Sequence, residues 1–407
     1  MSEVLKASRH TIATLKDVPA VFRAGGLALL RAKKGSILIV LTDGRKVLFD
    51  HGLPGPTAEV VVHDYVFARR ALAGGDVGFA ESYMDGEWST PDLTAVLEFF
   101  SENFDTSGKL FVGGFLVRIA NRFRDLFKRN SRAQAKRNIM AHYDLGNDFY
   151  SAWLDPSMTY SSGMFTSPNT SLEQSQAAKY DSICDQLNTG PGSRLLEIGC
   201  GWGGFAEHAA KERGAHVTCL TISEAQAAFA RDRMEKAGLS DRVDIRLEDY
   251  RDHEGAYDGV ASIEMFEAVG EEYWPSYFDK IRSVLKPEGR AALQIITIQD
   301  ELFDKYRNRV DFIQRYIFPG GMLPSEERLK EQVAAVNLRY DGSKYFGQDY
   351  AQTLKLWSQR FNDAWPEISK QEFDEPFRRM WNFYLSYCEA GFRNGRINVG
   401  QFQLSKA

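Results

Sequence analysis

Between residues 178 and 298 the chain switches repeatedly between the two hydrophobic periods that define helices and strands. "AAKYDSICDQL" reads as a helix, "SRLLEIG" as a strand and "GGFAEHAAKERG" as a helix. "AHVTCLTIS", "EAQAAFARDRMEKAG" and "DRVDIRLEDY" then repeat strand, helix and strand. "YDGVASIEMFEAVG", "YFDKIRSVLKPEG" and "RAALQIITI" extend the series. An alternation of this kind admits one economical solution, a doubly wound, mostly parallel sheet covered by helices on both faces. Ligands of such sheets bind in the crevice outside the carboxyl ends of the strands. The functional residues are therefore expected where these strands stop.

The first strand stops at "EIGCGWGG", with Ile198 as its last residue, Gly199, Gly201, Gly203 and Gly204 in the turn, and a helix from Phe205. Glycine permits positive φ and lets a ligand lie against bare backbone. A dinucleotide-binding turn would read GxGxxG with a pyrophosphate over the helix N-terminus. Here the spacing is GxGxGG, and Glu197 just before it sits poorly beside a phosphate. A tight turn without a ligand is the plainer alternative. The second strand runs into "LTISEAQ", offering Thr221, Ser223 and Gln226 as hydrogen-bonding groups, with Ser223 also placed to cap the next helix. The third ends in "LEDY", where Asp249 is placed as an acceptor for an amino group.

Around this block the chain is organised simply. Residues 35–50 are two apolar runs about Asp43-Gly44, a hairpin signal. Residues 59–75 pass from strand to helix, and 91–103 form an amphipathic helix. These make a small α/β domain over 1–105, followed by a linker over 106–140 and a catalytic domain over 141–407. Residues 115–140 carry eight Lys or Arg against one Asp, with Phe115, Ile119, Phe123 and Phe127 four apart. That pattern describes an interfacial helix resting on anionic lipid. It equally describes a helix whose aromatic stripe packs on the protein's own core. Segments 140–177 and 300–370, rich in aromatics, are expected to close over the sheet edge as a lid, and "MWNFYLSYCEAGF" and "NVGQFQLSK" supply a last helix and strand.

A net charge of −5 argues against a general nucleic-acid binder, and neither a recognition module nor an NPPY-like base pocket is found. Cys184, Cys200, Cys219 and Cys388 lack metal-ligand spacing, which fits a reducing compartment without zinc. No apolar run reaches about 18 residues. The expectation is a cytoplasmic protein, peripheral on the inner face of the membrane.

ExGxGxG after the first strand resembles the class I S-adenosylmethionine-dependent methyltransferases. The resemblance narrows with "HYDLGNDFYSAWLDPSMTYSSGMF" (142–165), "TISEAQ", "EMFEAVG" (264–270), "RYIFPGGMLPS", "FGQDYAQTL" and "YCEAGF". In that order they are similar to the cyclopropane-fatty-acyl-phospholipid synthases, relatives of the mycolic acid methyltransferases, from about residue 130 onward. The small N-terminal domain resembles that of the phospholipid-acting members, which implies contact with lipid. The resemblance implies that Tyr160, Ser161, Glu197, Gly199, Gly201, Thr221, Gln226 and Asp249 surround S-adenosylmethionine. It implies that Glu267 and Tyr350 hold a bicarbonate that deprotonates the new methyl, with Ser162 standing where the family has Cys.

It also implies a homodimer acting at a phospholipid bilayer surface on unsaturated acyl chains. Two departures stand out. The family's His in "LLHTIG" is Ile296, and its His in "FEHVG" is Ala268. Without that donor, the expectation divides between cyclopropane formation and a methyl-branched or methylene product, the branched outcome calling for a reductase partner. A methyltransferase of a soluble small molecule and a non-catalytic lipid-binding relative are the remaining alternatives.

Overall fold

The computed structural model describes residues 4–103 and 145–406. The basic segment 115–140 lies outside them. Two compact units divide the described residues. One holds 4–103 together with Val310–Arg315 and Ser369–Asn394. The other holds 145–309, Tyr316–Ile368 and 395–406.

The smaller unit is built on a five-stranded mixed sheet in the order Val4–Lys6, Lys46–Asp50, Lys34–Val40, Leu53–Val62 and Trp88–Ser89. The expected hairpin forms: Lys34–Val40 pairs antiparallel with Lys46–Asp50, and Gly44 takes φ 84° in the turn. Phe79, Trp88 and Phe99 are buried at its core, with Phe79 stacked on Trp88 at 4.4 Å. The long helix Glu375–Arg393 belongs here, where Glu389 accepts a hydrogen bond from Thr94 at 3.1 Å. Sequence order had attached that helix to the domain spanning 141–407. Its strong apolar face does not say which core it joins.

The larger unit is a seven-stranded sheet in the order Leu338–Tyr345, Ile397–Lys406, Leu285–Ile298, Tyr257–Ile263, Arg194–Ile198, His216–Thr221 and Val243–Leu247. Ile397–Lys406 alone runs against its two neighbours. One face packs Ile183, Phe205, Ala206, Ala227 and Met234, and the other packs Phe266, Trp274, Tyr277, Ile281 and Leu329. Burial on both faces explains why the central strands are continuous apolar runs rather than alternating ones.

The lid expectation is met unevenly. Helix Gly347–Ile368 turns Tyr350, Thr353, Trp357 and Phe361 inward, and Thr353 and Asp349 accept hydrogen bonds from the Gly163 and Phe165 amides at 3.1 and 3.0 Å. Leu338–Tyr345 instead joins the sheet as an edge strand. Its polar sequence, LRYDGSKY, is what a strand paired on one side and open on the other tolerates.

Candidate active site

Strand order reverses between Arg194–Ile198 and Tyr257–Ile263, since the chain continues outward from the first to His216–Thr221 and returns through the second. At such a switch point the strand ends splay and leave a crevice. Two acids flank it: Glu197, next to last in its strand, and Glu264, the residue after Ile263.

On the first side, Gly199 and Cys200 donate their amides to the Leu220 carbonyl, both at 3.0 Å, which ties the turn to the next strand. Gly199 has φ 82°, and a Cβ there would come within 2.6 Å of Met265 Cγ. Gly201 has φ 51°, and a Cβ there would meet nothing within 4 Å. The first glycine is therefore demanded by packing. The second keeps open backbone over the crevice.

Glu197 is buried, and the Cys219 thiol donates to its Oε2 at 3.6 Å. Burial pushes its carboxyl up to about 8, against the pull of that thiol and of Lys179. An acid held this way needs a cationic or hydrogen-donating ligand to ionise comfortably. Thr221 donates to Gln226 at 3.0 Å, and Ser223 caps helix Glu224–Lys236 through the Gln226 amide, as expected. Tyr160 lies among Tyr150, Trp153 and Trp357, with ring centroids 5.3–5.6 Å away, and Ser161 beside it is buried. Open glycine backbone, an underserved acid and hydroxyls from the next strand fit the amino-acid and ribose ends of S-adenosylmethionine.

Asp249 lies two residues beyond strand Val243–Leu247. Its two carboxylate oxygens take the Arg251 guanidinium in a bidentate pair, at 2.9 and 2.5 Å. A carboxylate paired with a guanidinium still has acceptor sites for an adenine amino group.

The second side holds the larger departure. Tyr350 donates its hydroxyl to Glu264 Oε2 at 2.6 Å, and the Ser162 amide donates to Glu264 Oε1 at 2.9 Å. Gln294 Nε2 adds a third bond to Oε1 at 2.8 Å. Glu264 reaches this position through a left-handed backbone, φ 49°, uncommon outside glycine and typical of functional sites. Burial raises its pKa, opposed first by the Tyr350 bond and then by Lys179 and Gln294.

Glu267, one helical turn on, accepts the Ile296 amide on Oε1 at 2.5 Å, while its buried Oε2 has no hydrogen-bond partner among the described residues. Burial, with the neighbouring Glu264 charge, pushes it up to about 8. Ser162 keeps its own hydroxyl on the Gly163 carbonyl at 2.8 Å, so it serves the site through its amide.

The donors expected to cradle a bicarbonate are thus occupied by a side chain. Tyr350 and the Ser162 amide hold Glu264, the Ile296 amide holds Glu267, and the sec-butyl side chain of Ile296 stands where the family's imidazole would be. The residues present do not fit that anion. Glu264, the centre of the cluster, was overlooked in the sequence, although two acids three apart at a strand end were a visible signal.

Comparison with known proteins agrees with this architecture. The family model for mycolic acid cyclopropane synthetase matches residues 130–402. Tuberculostearic acid methyltransferase UfaA1 of Mycobacterium tuberculosis is 42% identical over 345 residues, covering 83% of this chain and 80% of its own. Cyclopropane-fatty-acyl-phospholipid synthase of Escherichia coli is 37% identical over 357 residues, covering 86% and 88%. The structure of cyclopropane synthase MmaA2 from M. tuberculosis superposes with a TM-score of 0.63 at 31% identity, over 67% of this chain and 98% of that one. Mycolic acid cyclopropane synthase CmaA1 complexed with SAH and CTAB gives the same TM-score at 30% identity, over the same shares. The chain belongs to the cyclopropane-fatty-acyl-phospholipid synthase family, the S-adenosylmethionine-dependent methyltransferases related to the mycolic acid synthases.

Proposed function

We propose that this enzyme methylates the cis double bond of an unsaturated acyl chain esterified in phospholipid and releases a methyl-branched or methylene chain in place of a cyclopropane. The observation that carries the reading is the Glu264 carboxylate seated on Tyr350, Gln294 and the Ser162 amide. The 42% identity to a tuberculostearic acid methyltransferase supports it independently.

S-adenosylmethionine, held by the Gly199–Gly201 turn, Glu197 and Thr221, would supply an electrophilic methyl to the alkene π pair, the sulfur keeping the electrons of the bond it gives up. What the chain must do is exclude water, hold the alkene in line and stabilise a cationic acyl carbon. The faces of Tyr160, Trp153 and Trp357 serve the cation together with Glu264 and with Glu267, whose ionised form a developing positive charge favours. Glu264 is the base: it takes a proton from a chain carbon next to the cation, giving an internal branched alkene, or, after a 1,2-hydride shift has moved the cation to the methyl-bearing carbon, from the new methyl, giving a methylene. In either case the C–H pair becomes the new C=C. The Tyr350 hydroxyl and Gln294 hold the carboxylate's orientation while it does so. A base anchored at three points reaches a fixed set of hydrogens, which favours elimination over ring closure. Saturation of the product would require a reductase partner with a hydride donor.

The substrate's setting implies a bilayer surface. Among the described residues no helix is long and apolar enough to cross a membrane, so access from one face is the working arrangement. The N-terminal unit is assigned lipid contact and the assembly a homodimer on family likeness.

The test is product analysis in a host rich in monounsaturated phospholipid, fed methyl-deuterated methionine, by mass spectrometry and NMR. Vinylidene signals, or a branched chain retaining all three deuteriums, are expected. Ring-proton signals with two deuteriums would overturn the branched product and leave cyclopropane synthesis as the activity.

A further inference from the structure

Lys179 lies in helix Leu172–Gln186 and is wholly buried, an unusual fate for a lysine. Its Nζ donates to the Ser161 hydroxyl at 2.6 Å and sits 4.7 Å from the Tyr180 ring centroid. Asp155, Glu197 and Glu264 all act on it electrostatically, yet none forms an ion pair with it among the described residues. Asp155 is turned to the amides of Ser157 and Thr159, Glu197 to Cys219, and Glu264 to Tyr350. Burial pulls the lysine down to about 7, the three carboxylates opposing. A buried ammonium is retained when something pairs with it.

We infer that Lys179, acting with the Ser161 hydroxyl, is the counter-charge for the α-carboxylate of the cofactor's methionine end, a positioning role in cofactor binding. The inference rests on the cofactor assignment made above. Ser161 accepts from Lys179, so its own proton remains to be given to an anion, and Gln176 pins the Ser161 carbonyl at 3.0 Å from the same helix. Charge balance points the same way. Glu197, Glu264 and Asp155 suit the cofactor's sulfonium and ammonium, and they would repel its carboxylate unless one cation stood among them. Lys179 is that cation, and it discriminates the intact cofactor from analogues without the carboxylate.

The full chain is titrated calorimetrically with S-adenosylhomocysteine and with its decarboxylated analogue, which keeps the amine and lacks the carboxylate. Wild type should prefer the intact ligand by about ten- to a hundredfold, the range for a charge-assisted hydrogen bond. Lys179→Met should erase most of that preference while leaving the analogue's affinity within about twofold, and Lys179→Arg should keep part of it.

Equal losses for both ligands would make Lys179 a scaffold residue and overturn the inference. So would a wild type that binds both ligands equally, a result that needs no variant and so survives a Lys179→Met that does not fold. A wild type that binds neither ligand would overturn the cofactor assignment itself.

Discussion

Glu267→Gln separates stability from chemistry at one residue. Glu267 Oε1 is satisfied by the Ile296 amide and buried Oε2 is not, so a glutamine can keep the first contact without losing an acceptor that anything uses. The wild-type carboxyl is raised from 4.5 to about 8 by burial and by the Glu264 charge. At about 1.4 kcal/mol per pH unit the full displacement amounts to about 5 kcal/mol, and residual exposure of the side chain reduces the expected effect to about 2–3 kcal/mol.

The sign follows from which state binds the proton. The folded state holds it more tightly, so this group's stabilisation is complete below pH 4.5 and is lost as the pH rises through about 8. Glutamine does not titrate. The variant should therefore match wild type at pH 4.5, gain on it through neutrality, and hold a constant advantage above pH 8. Urea unfolding followed by tryptophan fluorescence at pH 5, 7 and 9 measures it.

Turnover should move the other way. If the open Oε2 faces the cationic acyl carbon, methyl transfer into dioleoyl phospholipid vesicles should fall by about 10²-fold or more while S-adenosylhomocysteine affinity stays within about threefold. A variant that is fully active, or whose stability gain does not depend on pH, would refute the picture of an enclosed carboxylate kept for the reaction.

Glu264→Gln places an amide against three donors and removes the base, so turnover should fall by about 10²–10⁴-fold with cofactor affinity preserved, checked by the same vesicle assay and by calorimetry. Tyr350→Phe removes the hydrogen bond that most lowers the Glu264 pKa, so the acid limb of the pH–rate profile should move to higher pH. The two turn glycines should separate: Gly199→Ala, strained and 2.6 Å from Met265, should cost about 2–4 kcal/mol in unfolding. Gly201→Ala, with open space for its Cβ, should cost about 1–2 kcal/mol and lose S-adenosylhomocysteine binding instead.

Periodicity carried the sheet, because the central strands bury both faces and some of the helices announce their caps, as Ser171, Ser223 and Ser325 do; Ser223 and the turn at Gly199 were legible for that reason. The polar Leu338–Tyr345 strand was not, since its edge position asks for no apolar run. Within the site, residue types were legible and partnerships were not. Tyr350 was expected beside Glu267 and holds Glu264, a choice made by the left-handed turn at Glu264 and by a helix some eighty residues later. Asp249 reads as a free acid until Arg251, two residues on, folds back onto it. Nothing in the helix's sequence singles out Lys179, yet Ser175, Gln176 and Lys179 form a polar stripe that faces inward.

The reversed strand Ile397–Lys406 sets when the enzyme can become active. It pairs with Leu285–Ile298 across about a hundred residues of intervening chain, a non-local contact whose closure the chain must complete before the sheet is whole. Gln401 on that strand donates to the Gln294 side chain at 3.2 Å, and Gln294 in turn steadies Glu264. Until this strand is inserted, the proton-accepting carboxylate lacks its settled orientation even if the glycine turn has formed. The reacting centre is in this sense an assembly checkpoint: a nascent or partly unfolded chain could hold cofactor without yet having a base set to finish the reaction.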